Sequence, residues 1–99
     1  MKLLHFVDAA GTDEHFVAAD QVTMVSVTDN ASVIVNFKSQ DPAVTANDQV
    51  DLTCAAGTSD DIALVLAQYM AAEKNDVLTI KAATGDFADV SAVAYTAGT

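Results

Sequence analysis

The sequence predicts an α+β domain: a mostly antiparallel sheet or small β-sandwich of about six to seven strands, with one amphipathic helix over about residues 59–74 packed on it. Three observations carry that expectation. Short β-branched segments alternate apolar and polar residues and are bounded by turn formers. One segment instead repeats its apolar residues at helical spacing, through Ile62, Val65, Leu66, Tyr69 and Met70. The 99 residues also fit one domain, 1–99. A chain this long buries a little under ~70% of its unfolded surface in one core, whereas two cores would each be too small. With 52% hydrophobic residues and a mean hydropathy of +0.29, the composition lies far from that of disordered chains.

The first strand is expected over Leu3 to Val7. It is followed by a turn through Asp8 to Asp13, and His15 to Val17 returns beside it. Val22 to Thr28 and Ser32 to Lys38 flank Asp29-Asn30, residues that tolerate the backbone conformations of a hairpin turn. In the second of these strands Val33, Val35 and Phe37 share one face, and Ile34 interrupts the polar one. Pro42 marks residues 39–48 as a connection, since proline lacks the N–H that a sheet ladder needs. Gln49 to Cys54 alternates Val50, Leu52 and Cys54 against Gln49, Asp51 and Thr53, a further half-buried strand.

For the helix, Gly57-Thr58-Ser59 supplies an N-cap, and Asp60 with Asp61 places negative charge at the positive end of its dipole. Lys74-Asn75 marks its stop. Ala63, Ala67 and Ala71 form a second row suited to close backbone approach, although alanine is also simply the best helix former. Val77 to Lys81 is a strand, Ala83 to Asp86 a turn and Val90 to Tyr95 a last strand. The terminal residues 96–99 fray unless a neighbour holds them.

Charge excludes several functions. Fourteen acids, only two of them Glu, face four lysines and no arginine, for a net charge of -10. Such a surface repels phosphate and lacks the side chain that makes bidentate contacts to phosphates and guanines, so neither nucleic acid nor an anionic membrane is an expected partner. The apolar start Leu3-Leu4 is broken by His5 and ended by Asp8, too short for a secretory signal, and no segment has the length of a membrane-spanning helix. The single Cys54 sits in the inward phase of its strand and reads as a buried structural thiol. Asn30-Ala31-Ser32 matches a glycosylation sequon that a chain without a secretory signal does not use.

No catalytic, cofactor-binding or metal-binding residues are assigned, and the chain is not expected to be an enzyme. If Val7 faced His15 across the first hairpin, His5 and His15 would be diagonal neighbours on one side, with Asp13 and Glu14 as oxygen donors. Two histidines at that spacing do not make a compact zinc motif, however, and half-exposed strand histidines are the default. Neither Asp48 to Asp51 nor Asp60-Asp61 reproduces a calcium loop. There is no nucleophile motif, and a subunit of this size has little room to enclose a substrate.

What remains is surface. Nineteen alanines against eighteen charged residues leave much of the outside small and apolar, which suits packing against copies of the same chain. The first and last strands carry few charges, and as sheet edges they would invite a partner.

The opening Met1-Lys2-Leu3-Leu4-His5-Phe6-Val7, the Gly11 turn into Glu14-His15-Phe16-Val17-Ala18-Ala19-Asp20, the following hairpin and the Thr58-Ser59-Asp60-Asp61 cap with its Ala-rich helix resemble small uncharacterised proteins encoded by marine tailed bacteriophages. That resemblance covers most of the chain as a pattern and transfers no functional residue. It implies a virion structural role: a capsid-decorating or head-associated protein, homo-oligomeric, bound to the major capsid or another virion protein after synthesis in the bacterial host cytoplasm. A small acidic binding or regulatory module in a bacterial cytoplasm is the alternative, and a metal-dependent enzyme the second.

Overall fold

The computed structural model describes residues 2–8, 13–39, 46–72 and 76–98. Among these residues seven strands form two sheets around one helix, in the order expected. Strand β1 (Leu3–Val7) is the middle of a three-stranded sheet, antiparallel to β2 (Glu14–Ala18) on one side. A single 3₁₀ turn, Ala19–Gln21, carries the chain into a second, four-stranded antiparallel sheet. That sheet holds β3 (Val22–Asp29), β4 (Ser32–Phe37), β5 (Asp48–Cys54) and β7 (Val90–Thr96), in the order β3-β4-β5-β7. Between β5 and β7 come the helix α1 (Ser59–Ala71) and β6 (Val77–Lys81), and β6 returns to lie parallel to β1.

That return corrects one expectation. The first strand is not an edge but is paired on both sides, because a parallel partner from the far end of the chain needs the kind of long crossover that the second sheet and α1 provide. The exposed edges are β2 and β6 in one sheet and β3 and β7 in the other, so the last strand is an edge as expected.

The β3–β4 hairpin forms where the β-branched runs place it, but its turn is not held by left-handed backbone. Neither Asn30 nor Ala31 has positive φ. The Asp29 carboxylate accepts the N–H of Ala31 at 2.7 Å, shaping the turn from its side chain. Across the next pair Val33 faces Leu52 and Val35 faces Val50, so the alternation of β4 and β5 presents one apolar surface inward. Val90 and Val93 of β7 extend it. Leu4, Phe6, Val17 and Ile80 of the smaller sheet, with Ile62 and Leu66 of α1, cover that surface and complete a single core. Cys54 is buried within it.

The helix stripe packs as its spacing requires: Ile62 and Leu66 are buried, with Val65, Tyr69 and Met70 partly covered beside them. Its ends differ in detail from the sequence expectation. The Thr58 hydroxyl donates back to the Ala55 carbonyl at 2.7 Å instead of accepting a helix amide, leaving Asp60 and Asp61 to complement the dipole. At the other end α1 stops at Ala71, and Ala72 is extended. Residues 73–75, on which the Lys74-Asn75 stop rests, lie outside the described residues. The cation at this end comes from elsewhere: the Lys2 ammonium donates to the Met70 carbonyl at 2.8 Å. Tyr69 ties the same end to the smaller sheet, its hydroxyl donating to the Asp76 carbonyl at 2.6 Å with the Leu3 carbonyl at 3.2 Å. Of the alanine row, Ala63 is half-buried while Ala67 and Ala71 face solvent.

The turn after β6 does more than reverse the chain. Ala83 (φ 59) and Gly85 (φ 53) bend it tightly enough to drive Phe87 into the core at 2% exposure. Neither strand nor helix period in the sequence marks Phe87, which lies between that turn and β7.

Because Leu66 is fully buried and Leu64 is 55% exposed on the same helix, the two separate core packing from helix propensity. Leu66→Ala is expected to cost about 2–5 kcal/mol, and Leu64→Ala less than about 0.5 kcal/mol, measured from urea unfolding midpoints at constant slope.

Candidate functional site

The register of β1 with β2 separates the two histidines. Phe6 pairs with His15 and His5 with Phe16, one residue away from the alignment that would have brought the histidines together. A one-residue slip reverses the side of every residue in a strand. His15 therefore lies on the inward side with Phe6, and His5 on the outward side with Phe16. The oxygen donors divide the same way. Glu14 goes with His5, accepting from its Nε2 at 2.7 Å, while Asp13 goes with His15. Among the described residues no three His, Cys, Asp or Glu side chains converge as metal ligands.

Two surfaces result. On the inward side His15 stacks on Tyr95 of β7, ring centroids 4.2 Å apart, which joins the smaller sheet to the larger. Phe6, Val50 and Val93 floor an open cleft of about 470 Å³ there, with Asp8 and Asp13 also in its lining. This is more concavity than the chain length predicts, although the cleft opens to solvent instead of enclosing a ligand. Its lining combines two acids with the rings of Phe6, His15 and Tyr95.

Behind Tyr95 lies a buried acid that the sequence reading missed. Asp48 is 2% exposed and opposes Phe37 across β4 and β5. It accepts the Tyr95 hydroxyl at 3.0 Å and the backbone N–H of Gly98 at 2.6 Å. The signal was available: continuing the alternation of Cys54, Leu52 and Val50 by one step puts Asp48 on the inward face. Its bond to Gly98 also answers the expectation that the chain frays after β7. A Cβ on Gly98 would collide with the carbonyl oxygens of Ala46 and Asn47, so only glycine lets the terminal backbone close onto the carboxylate. Asp51 accepts the Ser32 hydroxyl at 2.9 Å, and Asp60 and Asp61 occupy the first turn of α1.

The second surface is the outward side of the three-stranded sheet. Its pairings set nine residues in three rows across β2, β1 and β6: Ala18-Leu3-Val77, Phe16-His5-Thr79 and Glu14-Val7-Lys81. Phe16 is 59% and Val77 50% exposed, an unusual investment of apolar area for an acidic chain. His5 is fixed in the centre. It stacks on Phe16 with ring centroids 4.1 Å apart, and its Nδ1 lies 3.1 Å from the Thr79 hydroxyl.

No protein-family model, curated protein or solved structure matches the chain.

Both structural tyrosines have hydroxyl groups held in the neutral form. Partial burial, then the adjoining Asp48, raises the pKa of Tyr95; burial and Asp76 do the same for Tyr69. A pKa raised on folding means that the folded state holds the proton more tightly. The stabilisation is thus complete below the ordinary tyrosine value of 10.0 and is lost as pH rises through the folded value. Stability should fall from about pH 10 upward, and ultraviolet titration should place both phenols above free tyrosine. Tyr69→Phe with Tyr95→Phe should flatten the alkaline decline.

Proposed function

We propose that this chain is a structural, self-associating protein of a virus particle, decorating the outside of the capsid or associated with the head. The observation that carries the reading is the pair of exposed apolar side chains, Phe16 and Val77, on the outward side of the three-stranded sheet, where Val7 is already buried, in a chain of net charge -10. Exposed apolar groups weaken solubility unless a partner covers them, whereas the acidic remainder keeps the free protein dispersed. An acidic protein sits more favourably on the outer surface of a shell than against packaged DNA. β7 adds a second contact route: from Val90 to Thr96 this edge strand has no charged residue to block pairing with a neighbour. The resemblance to small phage-encoded proteins supports the same role.

The cleft beside Tyr95 favours one other reading, a small acidic binding module whose ligand carries a cationic or hydrogen-bonding group toward Asp8 and Asp13 and an apolar body toward Phe6.

The two diverge on where the protein is found. On the favoured reading, virus particles purified through a density gradient contain it at a fixed ratio to the major capsid protein, by gel and peptide mass spectrometry. Particles free of it, with all of the protein in the soluble fraction of infected cells, would contradict a virion role and leave the binding module.

A further inference from the structure

Resting on that structural role, we infer that the outward side of the three-stranded sheet is a two-fold interface with a second copy of this chain, in which Glu14 of each copy meets Lys81 of the other. The argument lies in the rows. β1 runs down the middle with β2 and β6 on its two sides. Laying a second sheet on this face by a two-fold rotation about the direction of β1 exchanges left and right within each row and leaves the rows aligned. Ala18 then covers the second copy's Val77, Phe16 covers Thr79, and Glu14 faces Lys81. Each of these contacts occurs twice, as an isologous interface requires.

The charges select this arrangement. Glu14 and Lys81 are the only charged residues among the nine, and they stand at opposite ends of one row. Within one copy the intervening Val7 keeps them two strands apart. Glu14 already gives Oε1 to His5, which leaves Oε2 for a second partner. Lys81 is exposed and makes no ion pair among the described residues. Reversing the second sheet end for end would instead set the apolar row Ala18-Leu3-Val77 against the charged one, stripping water from both charges without pairing them. Of these two arrangements, the rotation about β1 satisfies the apolar and charged rows together.

The size of the contact fixes its strength. Three strands about 4.8 Å apart and five residues long give a footprint of roughly 14 Å by 16 Å. That is well short of the ~800 Å² per partner of a standard stable interface. The free protein therefore dimerises weakly, and the contact matters where many copies are held close together.

Sedimentation equilibrium of the isolated protein across a wide concentration range tests this, with circular dichroism confirming that each variant is folded. Glu14→Lys and Lys81→Glu should each weaken dimerisation by about five-fold or more, since each places two like-charged contacts in the interface. The double variant should return to within about two-fold of the original. Glu14→Lys is the decisive member. It reduces the net negative charge, so general repulsion alone would make it associate more strongly, not less. Phe16→Asp should abolish the dimer, and Leu64→Asp on the exposed side of α1 should leave it unchanged. A protein that stays monomeric throughout, a dimer indifferent to Phe16→Asp, or a double swap that fails to restore association would each overturn the interface. Particle content is measured separately, so a monomer still found on particles rejects this contact and not the structural role.

Discussion

The parallel pairing of β1 with β6 is the contact on which the remaining structure depends. It joins the first strand to one about seventy residues further along, so the second sheet's first three strands and the helix lie in sequence between the two partners. Without β6, the first hairpin would be a two-stranded ribbon, which is marginal in water. With it, Leu4 and Phe6 become the middle of a layer that closes over Val35, Val50 and Leu52. The helix is bound to the same junction, through Lys2 at its last turn and Tyr69 at the entry to β6. The inward side of the larger sheet is thus covered by two bodies, α1 and the smaller sheet, which meet at this strand pair.

That constraint explains which parts of the fold could be read from the sequence. Period-2 alternation in Ser32 to Phe37 and Gln49 to Cys54, and helical spacing from Ile62 to Met70, are local signals, and each element formed where its pattern lies. Element order followed. The partner of β1 on its second side did not, because parallel pairing across most of the chain leaves no mark in either strand's own sequence. Phe87 was hidden for a related reason: it enters the core from a tight turn, where neither period applies.

The functional surfaces show the same division at finer scale. That the first two strands pair was legible, but whether His5 and His15 share a face turned on a single residue of register, which the alternation within either strand does not specify. The observed register has two consequences at once. It sends His15 to Tyr95 and the cleft, and it gathers Phe16, His5 and Glu14 on the outward side. Asp48 was a different kind of omission, a carboxylate in an inward phase that composition alone assigns to solvent. Its burial is offset by the Tyr95 hydroxyl and the Gly98 amide, which together tie β7 and Gly98 to β5.

The acidity of the chain and its apolar sheet face belong to one physical description. Net charge keeps free copies apart at long range, and the interface proposed on that face is a short-range contact that acts only once copies are brought close. Both features rest on β1 being a middle strand, since the nine-residue face exists only if β2 and β6 flank it. Amide hydrogen exchange followed by NMR tests that placement most directly. Amides of Leu4 to Phe6 should be protected to the same free energy as those of Val50 to Leu52, the level of global unfolding. If β1 instead exchanges at the rate of a fraying terminus while β5 remains protected, the parallel pairing, and the face built on it, would be contradicted.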